Sequence, residues 1–194
     1  SNLVNSGILS IYVVTQFKAQ SLLEHLDRGW RATDFLGEHF ITSVPAQMRS
    51  GDDWYQGTAD SVYQNLYLLE RHKPTLVAVF GADHIYRMNV RQMIDAHKNK
   101  SAEVTVAAIP VKIEEASQFG VIEVDADWRI VGFEEKPKAP KAIPGEPGFA
   151  LVSMGNYLFN NEVLIEALKA NAANPASYHD FGRDLLPSFI TGGR

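Results

Sequence analysis

Cysteine is absent from the sequence. Disulfides, thiol nucleophiles and thiolate metal sites are therefore excluded, and the absence fits a reducing, cytoplasmic setting. Long apolar runs are also missing. None approaches the roughly 20 residues that a membrane-spanning helix requires, so no membrane partner is expected. Nor is there a surplus of basic residues. The formal net charge is -5, which argues against a nucleic-acid-binding face. Four short motifs are missing as well: G-x-S-x-G, H-E-x-x-H, G-x-x-x-x-G-K-[ST] and G-x-G-x-x-G. The six histidines (His25, His39, His72, His84, His97, His179) show no metal-ligand spacing. His97 lies on an apolar helical face and reads as a packing residue rather than a ligand.

What is present fits one soluble domain, or a large part of one. The chain has 194 residues, of which 45% are hydrophobic and 21% charged, enough for a sizeable core. β-Branched and apolar residues at 8–15 predict a buried strand, and 19–28 a helix. Residues 37–50 read as a short strand and a loop, and 51–57 as a polar loop. A helix is predicted to start at Thr58, its N-cap, and to end near Lys73-Pro74, with Ala59, Val62, Leu66 and Leu69 on one face. The apolar run 76–80 suits a central strand buried on both faces. A helix carrying Val90, Met93, Ile94 and His97 follows, then a strand over 104–111. Strands at 121–124 and 130–134 form a hairpin, 138–148 is a loop, and 149–159 carries further strand signals. Val163, Leu164, Ala167 and Leu168 mark a helix, and 184–189 a last short one. Strands alternating with helices predict an α/β sandwich with a mainly parallel sheet and some antiparallel pairing late in the chain.

Five clusters could carry chemistry. Asp83 follows the strand at 76–80, and open α/β sheets bind ligands beyond the carboxyl ends of their strands. A carboxylate there can hold a magnesium ion and organise phosphates; the competing reading is a solvated aspartate that starts a turn. In Glu134-Glu135-Lys136-Pro137, a lysine at a strand end can meet a phosphate as a point charge, or the run is an exposed charged turn. In Trp54-Tyr55-Gln56-Gly57-Thr58-Ala59-Asp60, Gly57 admits close approach of a ligand and the helix start offers free N–H groups. The alternative is a capped helix beside a surface aromatic. Ser153-Met154-Gly155-Asn156-Tyr157 and His179-Asp180-Phe181-Gly182 place small polar groups beside glycine and an aromatic. That composition suits a sugar pocket, and it also suits ordinary turns.

Taken in order, WYQGTADSV, ADHIYRM, EEASQFGVIEVD, FEEKP, SMGNYLF and HDFGRDLLP resemble the bacterial ADP-glucose pyrophosphorylases, a branch of the sugar nucleotidyltransferases. The resemblance covers nearly the whole chain. It implies a Rossmann-like, three-layer, glycosyltransferase-A-like domain that transfers a nucleotidyl group from ATP to glucose 1-phosphate, giving ADP-glucose and pyrophosphate for glycogen synthesis. By this resemblance Asp83 is the magnesium-binding catalytic aspartate and Lys136 holds the sugar phosphate. Tyr55, Gly120, Glu135, Ser153, Tyr157, Asp180 and Phe181 line the glucose 1-phosphate pocket. Gln47 and Gly57-Thr58-Ala59 receive the nucleotide, and Arg71 matches a position linked with effectors. Mg2+ is the implied cofactor, and a homotetramer the implied full-length assembly.

Three family features lie outside this sequence: a glycine-rich GGxGxRL loop, a second metal-binding aspartate, and a C-terminal β-helical domain. The expectation is accordingly a trimmed catalytic core that does not turn over by itself. Ala82 also stands where many members carry glycine. The nucleophile, a phosphate monoester with a second pKa of about 6, is already anionic near neutral pH and needs no general base. Positioning and charge neutralisation remain as the protein's tasks. A uridylyl-, thymidylyl- or guanylyltransferase on the same fold is left open, as is a non-catalytic regulatory subunit.

Overall fold

The computed structural model describes residues 2–17, 19–30, 40–46 and 54–192. A short helix α1 (Asn2–Asn5) leads into strand β1 (Ser10–Thr15), helix α2 (Gln20–Trp30) and strand β2 (Phe40–Pro45). β1 and β2 pair in parallel, from Ser10↔Phe40 to Thr15↔Pro45. Helices α3 (Thr58–Tyr63) and α4 (Leu66–His72) precede strand β3 (Leu76–Phe80), helix α5 (Val90–Asn99) and strand β4 (Val104–Lys112). The hairpin of β5 (Gly120–Val124) and β6 (Ile130–Glu135) comes next. Strand β7 (Phe149–Asn160), helix α6 (Asn161–Ala172), a π-helical turn (Phe181–Leu185) and helix α7 (Leu186–Thr191) complete the order.

The twelve-residue β7 is the spine of a five-stranded sheet. β3 pairs with its second half, from Leu76↔Asn160 to Phe80↔Asn156. β4 pairs along its length, from Val104↔Phe159 to Lys112↔Phe149. Two strands that share the same β7 residues must occupy opposite edges of it. β5 joins through Val121↔Val152 and Ile122↔Leu151, and so lies on the β3 side. All these pairings are antiparallel, as is β5 with β6.

The sheet is therefore not mainly parallel, which corrects the sequence expectation. The reason is local. β3, α5 and β4 form a strand–helix–strand unit whose two strands run the same way, but β7 is inserted between them in the opposite sense. Alternation along the chain fixed the relative direction of consecutive strands and carried no information about a later strand entering the gap. The fold class, α/β with mixed sheets, stands.

Alternation along β7 divides the core. Tyr157 and Phe159 pack with Leu164 and Leu168 of α6 and with Phe181, Leu185 and Phe189. Leu158 packs with Met93 of α5 and Ala107 of β4. A third cluster joins Ala116, Val121, Ala150 and Val152. His97 is 2% exposed, and its ring nitrogens meet Thr105 Oγ1 at 2.8 Å and Asn160 Oδ1 at 3.2 Å. It is a satisfied packing residue, as its helical position suggested.

Two further expectations change. The helix predicted from Thr58 to Lys73 is broken at Gln64-Asn65. Asn65 is buried, and its side-chain amide donates to the Ser61 carbonyl (2.8 Å) while its backbone N–H turns to Val62 O (3.0 Å). A side chain has taken the place of the i→i−4 backbone bond. β3 is half-buried along its whole length rather than covered on both faces, because a cleft opens beside it.

Candidate active site

The cleft encloses about 1730 Å³. Pockets for one small ligand run to roughly 300–1,000 Å³, so the space exceeds a single sugar phosphate. Gly81, Ala82, Asp83 and His84 line it beyond the end of β3, the position where α/β sheets place ligands. Facing residues include Gly120, Phe133, Glu135, Ser153, Gly155, Tyr157, Asp180, Phe181 and Thr58. Segments far apart in sequence thus meet at one concavity.

Asp83 is held lightly. Its side chain is 88% exposed, and the His84 imidazole lies 3.8 Å from the carboxylate. His84 in turn lies over Gly155, 3.7 Å from the point where a Cβ would stand. Gly155 has φ +66 and sits in a bulge: Ala107 pairs with Asn156 but Ala108 with Ser153, which leaves Met154 and Gly155 outside the ladder. Bulges of this kind bend a strand and re-aim its side chains. Here the bulge separates Ser153 from Tyr157.

Two described tyrosines that line the cleft, Tyr12 and Tyr157, hold their protons more tightly than usual, and Tyr157 is the one beside the other candidate residues. Burial raises its hydroxyl above the ordinary value of 10.0; the Ser153 hydroxyl opposes the rise, while the Asp180 and Glu135 carboxylates add to it. The ring stacks on Phe181, with centroids 5.4 Å apart and planes at 22°.

Glu135 stands between two glycines. A Cβ on Gly120 would come within 2.6 Å of the Phe133 ring and 2.9 Å of Glu135 Oε2. A Cβ on Gly182 would lie 3.5 Å from Phe133 and 3.7 Å from Glu135 Oε2. A side chain at position 120 would require the Phe133 ring and the Glu135 carboxylate to shift. Lys136 follows at the end of β6 with φ 48, its N–H donating to Phe119 O at 3.0 Å. It is exposed, one residue beyond the cleft wall formed by Glu135.

The Gly57-Thr58-Ala59 turn differs from its sequence reading. Its close neighbour is the chain's own backbone: a Cβ on Gly57 would lie 2.6 Å from the Tyr178 carbonyl oxygen and closer still to that of His179. The N–H groups at the start of α3 are not free, since Ala59 N and Asp60 N donate to His179 O at 2.8 and 3.3 Å. The N-cap position is Gly57, not Thr58. Ala59 is 1% exposed and buried in the main core. Thr58 alone of the three reaches the cleft, where its hydroxyl is bonded to Asp180. This long-range bond, 122 residues across the sequence, was invisible to motif reading.

Tyr55 is half-buried behind the cleft, and its hydroxyl accepts from Asn65 Nδ2 at 3.0 Å. Arg71 is exposed in the last turn of α4, away from Asp83 in the element order, and its charge acts on Tyr12. Gln47 lies outside the described residues.

Among the described residues no group of three or more His, Asp or Glu could cage a metal ion. A single exposed carboxylate still fits Mg2+, which keeps several waters and takes one or two carboxylates together with substrate phosphates. No helix among the described residues is long and apolar enough to cross a membrane.

The family model described as "Nucleotidyl transferase" matches residues 1–194. A glucose-1-phosphate adenylyltransferase of Thermus thermophilus is 54% identical over 197 residues, covering 100% of this chain and 48% of that protein. Glucose-1-phosphate adenylyltransferase 1 of Vibrio parahaemolyticus is 53% identical over 193 residues, covering 100% of this chain and 47% of its own length. The glucose-1-phosphate adenylyltransferase of Photobacterium profundum is 52% identical over 194 residues, covering 100% and 48%. The chain spans about half the length of the curated relatives it matches.

Proposed function

Because the chain belongs to the nucleotidyl transferase family, we propose that it forms the substrate-binding core of an enzyme that transfers the adenylyl group of ATP to glucose 1-phosphate, giving ADP-glucose and pyrophosphate. The observation that carries the reading is the cleft along and beyond β3, which gathers Asp83, Glu135, Ser153, Tyr157, Asp180 and Phe181 from four separate segments. Relatives above 50% identity bear the corresponding name.

The chemistry asks little of acid–base groups. A phosphate oxygen of glucose 1-phosphate attacks the α-phosphorus of ATP, the bond to the bridging oxygen breaks, and pyrophosphate leaves with the electron pair. The attacking oxygen is anionic near neutral pH, so no residue need accept a proton. What remains is to hold two anions in line. Asp83, exposed and paired with little, would hold Mg2+, which supplies charge neutralisation when bound. Lys136 offers an ammonium group beside the wall at Glu135 and would bind the sugar phosphate. Glu135 and Ser153 present acceptors and a hydroxyl for sugar hydroxyls, and the Tyr157–Phe181 pair supplies an apolar floor. The three-layer, glycosyltransferase-A-like arrangement, the homotetramer, the cytoplasmic location and the role in glycogen synthesis belong to the same proposal.

The test is pyrophosphate release by the native gene product with Mg2+, glucose 1-phosphate and each of ATP, UTP, dTTP and GTP. Turnover should be fastest with ATP. Preference for another nucleotide would move the protein to a sister branch, and no turnover with any would sink the reading.

A further inference from the structure

We infer that Thr58 is a positioning residue for the sugar side of the cleft, acting through Asp180 and Phe181, and not a contact for the nucleotide. The inference rests on the proposed reading of that side as the glucose 1-phosphate pocket.

The Thr58 hydroxyl has both its roles filled inside the protein. Oγ1 donates to Asp180 Oδ2 at 2.8 Å and accepts from Phe181 N at 3.1 Å. A hydroxyl carries one hydrogen, which is committed here, and each acceptor site used leaves less for a ligand. Asp180 is correspondingly occupied. Its Oδ2 takes the Thr58 bond, and its Oδ1 accepts from Gly182 N at 2.8 Å and Arg183 N at 3.0 Å, capping the π-helical turn. Thr58 therefore fixes the orientation of the carboxylate from one side while the turn fixes it from the other.

The same few residues lock the backbone. His179 O accepts from Ala59 N and Asp60 N, and Gly57 is packed against Tyr178 and His179 with no room for a Cβ. His179 itself has φ 54, a left-handed conformation that is costly for a residue with a Cβ. That conformation is anchored: its Nδ1 meets Asn171 Oδ1 at 3.1 Å, and its N–H donates to Ser177 Oγ at 2.9 Å. Asn171 Nδ2 donates to the same Ser177 hydroxyl at 2.8 Å. The start of α3 and the 178–182 segment thus form one rigid wall, and the stacking of Phe181 on Tyr157 extends it to the cleft floor.

Loss of the hydroxyl should release Asp180 Oδ2 and leave Phe181 N–H unpaired, which blurs the sugar pocket and leaves the Asp83 end of the cleft as it was. Dissociation constants of glucose 1-phosphate and of Mg-ATP, measured separately by calorimetry on the native gene product and its Thr58→Val and Thr58→Ser variants, test this. Thr58→Val should weaken glucose 1-phosphate about tenfold, the loss expected for about one hydrogen bond or 1.4 kcal/mol. Mg-ATP affinity should stay within about twofold, and Thr58→Ser should restore sugar-phosphate affinity, since serine keeps the hydroxyl. Equal losses for both ligands, a larger loss for Mg-ATP, or no recovery with serine would overturn the inference. A wild-type protein that binds no glucose 1-phosphate would instead overturn the proposed function on which it stands.

Discussion

Two aspartates face the same cleft and are held in opposite ways. Asp180 receives three hydrogen bonds from Thr58, Gly182 and Arg183, and stands in a wall tied to α3. Asp83 stands on an exposed segment, Gly81 to Ile85, with the His84 ring 3.8 Å away. A carboxylate whose lone pairs are used by the protein shapes a site. One whose lone pairs face open solvent is available to a cation or a ligand. The difference distinguishes a carboxylate held by the protein from one left open to solvent within a single concavity, which residue type alone could not do.

The sharpest way to break that comparison is to neutralise each aspartate in turn. Asp83→Asn should lower pyrophosphate release at least about 10²-fold, the scale of losing one electrostatic stabiliser. Its thermal midpoint should stay near wild type, because an exposed side chain with few partners contributes little to folding. Asp180→Ala should instead cost about 2–3 kcal/mol in urea denaturation, since three donors lose their acceptor and the π-helical turn loses its cap, and should weaken glucose 1-phosphate binding at least as much as Thr58→Val. If Asp83→Asn melted early and Asp180→Ala did not, the division between the two would be lost.

Several residues that line the cleft were singled out in the sequence, while Tyr55, Gly57, Ala59 and Lys136 lie outside its lining and Gln47 outside the described residues. Asp83 lies just beyond the apolar strand Leu76–Phe80, and a carboxylate so placed falls at the carboxyl end of a strand. Glu135, Ser153, Tyr157, Asp180 and Phe181 lie in clusters that suit a sugar pocket or ordinary turns alike, and the family resemblance is what assigned them to a pocket. What could not be read depends on contacts between distant segments. Gly57 looked like a place for a ligand because the need for a small residue is visible, but the Tyr178–His179 backbone that fills the space is not. β7 is clear as a strand, yet nothing local announces that it enters between β3 and β4 and turns the sheet antiparallel. The break in the 58–73 helix hangs on one buried asparagine whose side chain displaces a backbone bond.

A smaller effect sharpens the picture of the cleft floor. Burial holds the Tyr157 phenol neutral above its ordinary value. The folded state keeps that proton longer than the unfolded chain, so its contribution is complete below about pH 10 and is lost as the pH rises through the folded value. Urea midpoints compared at pH 9 and pH 11 should therefore fall less in Tyr157→Phe than in wild type. An identical fall in both would place the phenol in solvent.

The account turns most on whether the ammonium group at the end of β6 and the cleft beside it bind one sugar phosphate. Calorimetric titration of glucose 1-phosphate into the native gene product and its Lys136→Ala variant measures this. A loss of affinity of about tenfold or more in the variant, with Mg-ATP binding kept, is the predicted result. Equal affinity for glucose 1-phosphate in both proteins would contradict it.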